Sequence, residues 1–236
     1  MTPTPSLKEA KSSRPGHEGH RARLRARFLG TGPDSLADHE LIELLLFAAL
    51  PRRDTKAIAH DLLARFKTFA AVLAASPTDL MKTRGLGESG TTALKAAQAT
   101  ALRLMRSEII KRPIMSSWKQ VIDYCTASMA EERIELFRII FLDRQNQLIA
   151  DEVQQKGTVD HTPVYPREVV KRALELSATA FVLVHNHPTG DPKPSRADID
   201  MTRAIAQAAA PLGITIHDHL IIGRKGHYSF KATGLL

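Results

Sequence analysis

Apolar residues recur at helical spacing through the first half of the chain. From Leu36 to Leu50 they are Leu36, Leu41, Ile42, Leu44, Leu45, Leu46, Ala48 and Ala49, and Pro51 ends the run. Asp54 is placed to cap a helix carrying Ile58, Leu62, Leu63 and Phe66. A short helix is expected near Ala70–Ala75. The pair Ser76-Pro77, a cap followed by a helix-starting proline, opens another. Ser89 to Lys111 reads as one long helix, and no strand-like alternation interrupts the pattern up to that point. Residues 1–16, rich in Pro, Ser and Lys, are expected to be disordered.

The texture changes after Lys111-Arg112-Pro113, which marks the expected boundary between residues 17–112 and 114–236. Ser117 is placed to cap a helix from Trp118 to about Ala127. Ile134–Asp143 is apolar on both faces and predicts a buried strand. Arg144-Gln145-Asn146 predicts a turn and Leu148–Gln155 a second strand. Pro166 suits the first turn of a helix from Arg167 to Ser177, Ala180–His187 is another buried strand, and Ser195 starts a helix to about Ala210. Ile214–Gly223 and His227–Phe230 complete the strands. The expected fold is therefore α+β in two domains: an all-α N-terminal domain and a C-terminal α/β sandwich.

Charge sharpens this division. Of the 33 Lys and Arg and 25 Asp and Glu, residues 1–113 hold 19 and 11, and residues 114–236 hold 14 and 14, so the net charge of +8 lies in the first half. The densest basic piece carries Arg21, Arg23, Arg25 and Arg27 on one expected helix, a stripe suited to the phosphates of DNA as well as to plain solubility. The single cysteine, Cys125, excludes an intrachain disulfide and any multi-cysteine zinc site, which fits a reducing, cytoplasmic setting. No apolar run approaches the roughly 18 residues of a membrane span, and the first 20 residues lack the apolar core of a secretion signal.

The chemistry concentrates in Val184-His185-Asn186-His187-Pro188, which leads through a Gly- and Pro-rich loop to Ser195 and Asp198. Residues two apart on a strand point the same way, so His185 and His187 can offer both imidazoles to one point. Asp198 falls in the first turn of the following helix. Two histidines and a carboxylate suit Zn²⁺, one per chain, with a fourth tetrahedral position left for water. Taken singly, the pieces have plainer explanations: a surface His-x-His, and a Ser-x-x-Asp helix cap.

The spacing His185-x-His187, seven residues, Ser195, two residues, Asp198 resembles the JAB/MPN (JAMM) metalloenzymes, which include deubiquitinating isopeptidases. More closely, HNHPTGDPKPSRADID resembles the RadC proteins of bacteria, together with Gly157-Thr158, Tyr165-Pro166-Arg167-Glu168 and Asp218-His219. GHRARLRARF and the helices after it resemble the RadC N-terminal part. The resemblance implies a mixed-sheet JAB/MPN sandwich and peptide or isopeptide hydrolysis. It implies zinc on His185, His187 and Asp198, oxyanion help from Ser195, and an upstream glutamate as acid and base. It also carries a DNA-repair association, which leaves open a DNA-binding accessory whose metal domain does no turnover.

Glu135 is the first choice for that glutamate. It stands in phase with Phe137, Ile139 and Phe141, facing the packed side of the first strand. Glu168 is the rival, although in a first helical turn it needs no catalytic reason. His217-Asp218-His219 is a second His-x-His. Alternation places Asp218 on one face with Ile214, Ile216, Leu220 and Ile222, a buried acid that either accepts from a ligand histidine or is satisfied structurally. Arg84-Gly85-Leu86-Gly87 resembles a helix-hairpin-helix turn, in which Gly85 and Gly87 would let backbone approach a DNA phosphate. Thr83, Glu88 and Thr91 depart from that module's usual pattern, and a plain interhelical turn is the alternative.

Overall fold

A computed structural model of the chain describes residues 17–110, 112–156 and 164–236. The expected disorder of residues 1–16, Lys111 at the boundary, and Gly157-Thr158 lie outside the described residues.

The first half is helical. It runs α1 (His17–Thr31), α2 (Asp38–Ala49), α3 (Thr55–Phe66), α4 (Phe69–Ala74), α5 (Pro77–Met81) and α6 (Gly87–Ile110). Local chemistry sets the starts. Asp54 accepts from the Lys56 amide at 3.0 Å, Thr68 from Ala71 at 3.1 Å and Ser76 from Asp79 at 3.1 Å. Ile42, Leu46, Leu62, Val72, Leu80, Leu86 and Leu94 are fully buried together. Each such side chain contributes about 1.5–3 kcal/mol on leaving water. The long helix starts at Gly87, two residues before the expected Ser89.

The second half has α7 (Trp118–Met129), β1 (Leu136–Leu142), β2 (Leu148–Lys156), α8 (Pro166–Glu175), β3 (Ala180–Asn186), α9 (Arg196–Ala209), β4 (Thr215–Gly223) and β5 (Gly226–Ser229). The five strands form one mixed sheet in the order β2-β1-β3-β4-β5, with β3 and β4 parallel and the other pairs antiparallel. One sheet face packs on α7 through Ile140, Leu142, Val182, Val184, Leu220 and Ile222. The other packs on α8 and α9 through Phe137, Ile139, Phe141, Phe181 and Leu183. Ile109 of α6 joins the α7-side cluster, so the long helix reaches the sandwich. Among the described residues no helix is long and apolar enough to cross a membrane.

Three expectations are corrected. Ser117 does not cap α7: a short 3-10 turn, Ile114–Ser117, precedes the helix, and the Ser117 hydroxyl donates back to the Pro113 carbonyl at 3.3 Å. Glu135, expected inside a strand running from Ile134 to Asp143, stands one residue before β1. Finally, Ile214 to Ile222 do not keep one face. The β3–β4 register pairs Phe181 with Ile216 but Val182 with Asp218. That bulge at His217 reverses the alternation. Ile214 and Ile216 therefore pack toward α8 and α9, while Leu220 and Ile222 pack toward α7.

Candidate metal centre

Strand β3 delivers the first ligand candidate from the sheet interior. His185 is fully buried, paired in register with Phe137 of β1, its ring 6.3 Å from that of Phe137. His187 follows on the same side, and its amide donates to the Ile222 carbonyl at 2.9 Å. The chain then folds back. Gly190 takes φ +90°, its carbonyl accepts from the Lys225 amide at 3.1 Å, and Arg224 donates to the Pro188 and Thr189 carbonyls at 3.0 Å each. A Cβ on Gly223 would meet the Gly190 oxygen at 2.4 Å, so the fold-back needs glycine there. The loop returns to α9, where Ser195 and Asp198 form a reciprocal capping box. The Asp198 amide donates to Ser195 Oγ at 3.1 Å, and the Ser195 amide and hydroxyl each donate to Asp198 Oδ2 at 2.7 Å.

These elements bring three ligand side chains together, Asp198 through both of its oxygens. His185 Nε2 lies 3.1 Å from His187 Nε2 and 3.2 Å from Asp198 Oδ1, and His187 Nε2 lies 3.4 Å from Asp198 Oδ2. Ligands at about 2.0–2.1 Å from a tetrahedral ion stand about 3.3 Å apart. The three groups therefore fit a metal ion of that size, and they are the cluster of metal-ligating side chains found among the described residues.

The hydrogen bonds behind the imidazoles set their tautomers. Thr202 Oγ1 donates to the Asp198 carbonyl at 2.6 Å, so it accepts from His219 Nδ1, also at 2.6 Å. His219 Nε2 is then an acceptor, and it receives the Nδ1–H of His185 at 2.8 Å. His187 Nδ1 donates to the Asp191 carbonyl at 2.9 Å. Both Nε2 lone pairs consequently face Asp198. Two lone pairs and a carboxylate at these distances need a positive centre, either a proton or a cation. The electrostatics agree. The hydrogen bond to Asp198 raises His187 above the ordinary histidine value. Burial works against the Asp198 carboxylate, but His185, His187 and Ser195 hold it well below the usual carboxylate range. Burial pushes His219 far down, which keeps it neutral and able to accept.

Glu135 is half-buried at the same end of the sheet. Extending the antiparallel register two residues past Phe137 and His185 sets it level with His187, whose pKa its charge helps to raise. Glu168 is exposed in the first turn of α8 and pairs with Arg167 at 3.2 Å. Asp218 is buried but touches neither ligand histidine. Its oxygens accept from Ser229 Oγ at 2.5 Å, the Lys231 amide at 2.9 Å and the His219 amide at 2.7 Å, so it anchors the chain after β5. His217 and His219 have separate partners: His217 Nε2 is 2.5 Å from Asn146 Oδ1, while His219 is committed to His185 and Thr202. Sequence reasoning missed His219, Thr202 and Asn186. The second His-x-His was the visible trace of His219.

The arginine stripe is partly consumed within the fold. Arg21 donates to the Phe47, Leu50 and Arg53 carbonyls at 3.3, 2.8 and 2.7 Å, closing the C-terminal end of α2, and Arg27 pairs with Glu40. Arg23 and Arg25 are exposed. Gly85 and Gly87 hold φ of +86° and +60° in the turn between α5 and α6.

Residues 115–235 match the family model RadC-like JAB domain, and residues 19–92 match UPF0758 N-terminal. The chain belongs to the RadC family. The helical region followed by a mixed five-stranded α/β sandwich is consistent with the JAB/MPN fold, and within this RadC chain the His185, His187 and Asp198 cluster falls inside the matched JAB domain.

Proposed function

We propose that this RadC chain is a zinc-dependent hydrolase of JAB type acting on a peptide or isopeptide bond. The observation that carries the reading is the convergence of His185 Nε2, His187 Nε2 and the Asp198 carboxylate within 3.1–3.4 Å, with both imidazoles turned so that their lone pairs meet. Histidine nitrogen and carboxylate oxygen favour zinc among the common ions. When bound there, Zn²⁺ supplies the Lewis acidity that brings a water's pKa to about 7. Glu135 would serve as the proton carrier of the site, holding a proton taken from the attacking water and giving it to the departing amine nitrogen. The Ser195 hydroxyl, at rest on Asp198 Oδ2, turns its proton to the substrate oxygen that gains charge.

A second reading concerns the helical region, taken as a unit over residues 17–112. The first-half charge excess and the exposed Arg23 and Arg25 support DNA binding, with Gly85 and Gly87 giving a close backbone approach at the α5–α6 turn. Such binding would deliver the metal domain to nucleic acid.

The test is a metal-dependent cleavage screen over peptide, isopeptide and nucleic-acid substrates, run beside zinc analysis. Wild type should carry about one zinc per chain. His185→Ala should lose the zinc and all turnover, and Glu135→Gln should keep the zinc and lose turnover. Unchanged zinc in His185→Ala, or full turnover in Glu135→Gln, overturns the reading.

A further inference from the structure

Strand β3 presents opposite faces at its end. His185 continues the row of Phe181 and Leu183, toward α8 and α9. Asn186 continues the row of Val182 and Val184, toward α7. The chain leaving α7 enters β1 on that side, through Glu131 to Glu135. Asn186 is fully buried. Its Oδ1 accepts from the Leu136 amide at 2.8 Å, and its Nδ2 donates to the Ile134 carbonyl at 3.1 Å and the Glu132 carbonyl at 3.4 Å. The amide therefore grips the backbone on both sides of Glu135.

We infer that Asn186 is a positioning residue for Glu135, fixing the carboxylate's backbone against the strand that carries the two histidine ligands. The inference rests on the hydrolase reading above and adds to it the part that sets the distance between base and metal. An amide is the side chain that serves. It offers an acceptor and two donors at one reach, and the Leu136 N–H and the Ile134 C=O require one of each. A carboxylate or an alkyl group at this buried place leaves at least one backbone group unpaired, and a hydroxyl has a single O–H for the two carbonyls of Glu132 and Ile134. The bond to Leu136 extends the strand's hydrogen bonding past its regular end. The far side of the same segment is tied to the helical half by Arg133, whose guanidinium lies 2.9 Å from Asp79 Oδ2. Arg133 is exposed, so that ion pair is screened on one side, whereas the Asn186 amide is fully buried and is the stronger restraint.

The experiment uses the full chain loaded with cobalt(II) in place of zinc, because the visible bands of cobalt respond to a carboxylate beside its ligands. Glu135→Gln provides the reference shift. Asn186→Ala should retain wild-type metal stoichiometry and reproduce the Glu135→Gln spectrum, and the double variant should shift no further. Amide exchange at Leu136 should quicken by at least about tenfold, one lost hydrogen bond's worth. Asn186→Asp, of the same size, keeps the Leu136 acceptor but sets oxygen against two carbonyls. It should show the same spectral change, and it serves if the alanine variant does not fold. A wild-type spectrum in folded Asn186 variants, or undiminished protection at Leu136, overturns the inference while leaving the metal site standing. Wild-type protein that takes up no cobalt refutes the hydrolase reading itself and the positioning role with it, and a Glu135→Gln variant with an unshifted spectrum overturns the positioning role by removing Glu135 from the metal's surroundings.

Discussion

His185 Nδ1 stands 2.8 Å from His219 Nε2, joining strands β3 and β4 across a fully buried pair of imidazoles. Because Thr202 fixes the His219 tautomer, this one bond decides which His185 nitrogen is free to bind. His219→Phe keeps an aromatic ring at that place and removes the acceptor. Zinc affinity should fall about 10- to 100-fold in that variant. Thr202→Val should fall in the same direction by less. Competition with a chelating dye reads both, and affinities equal to wild type would show that the relay does not orient the ligand.

The metal-free protein should show a pH signature at Asp198. Its folded-state pKa is lowered, so its contribution to stability is present above the ordinary carboxylate value and is lost as pH falls through the lower folded value. The His187 value is raised, so the pair's contribution is present below the ordinary histidine value and is lost as pH rises through the higher folded value. The melting-temperature difference between wild type and Asp198→Asn, measured in chelator, should therefore peak between about pH 4 and 6.5 and shrink on both sides. A difference that is flat across that range contradicts the pairing.

Much of this was legible from residue order. Helical spacing found α2 and α3, Asp54 and Ser76 capped as expected, and the register of His185, His187 and Asp198 was readable because strand alternation and a helix's first turn are local rules. What failed was non-local. Alternation carried through Ile214–Ile222 gave the wrong faces because the bulge at His217 depends on the neighbouring strand. Asp218 looked available to a histidine because its partners, Ser229 and Lys231, lie in a segment brought back only by the β4–β5 hairpin. Arg21 looked like a phosphate ligand because the carbonyls it closes belong to α2 and the turn that follows it. Asn186 gave no signal at all, since its partners are backbone atoms 50 or more residues away.

Gly223 is required by a close approach rather than by its backbone angles. Gly223→Ala sets a methyl against the Gly190 carbonyl, a backbone atom that moves only if the loop moves. The variant should lose about 1–3 kcal/mol of stability. It should also weaken zinc binding, because the displaced loop includes Asp191, whose carbonyl holds His187. Thermal melts with and without zinc test this: the stabilisation by zinc should be smaller in the variant, and an equal increment would separate the loop's placement from the site.

The two classes of arginine on α1 predict opposite phenotypes. Arg23 and Arg25 are exposed, Arg25 with its guanidinium 5.8 Å from the centre of the Phe47 ring, so the double change to Gln should cost no more than about 1 kcal/mol. The same double change should weaken duplex DNA binding and lower the salt slope of affinity by about 2, one unit for each lost phosphate contact. Arg21→Gln removes the guanidinium that the Phe47, Leu50 and Arg53 carbonyls share and should cost about 1–3 kcal/mol of stability. At a temperature where that variant is folded, its salt slope should stay at the wild-type value. Fluorescence anisotropy at a series of salt concentrations separates the cases. An unchanged slope in the Arg23/Arg25 variant, or no wild-type binding at low salt, removes DNA from α1.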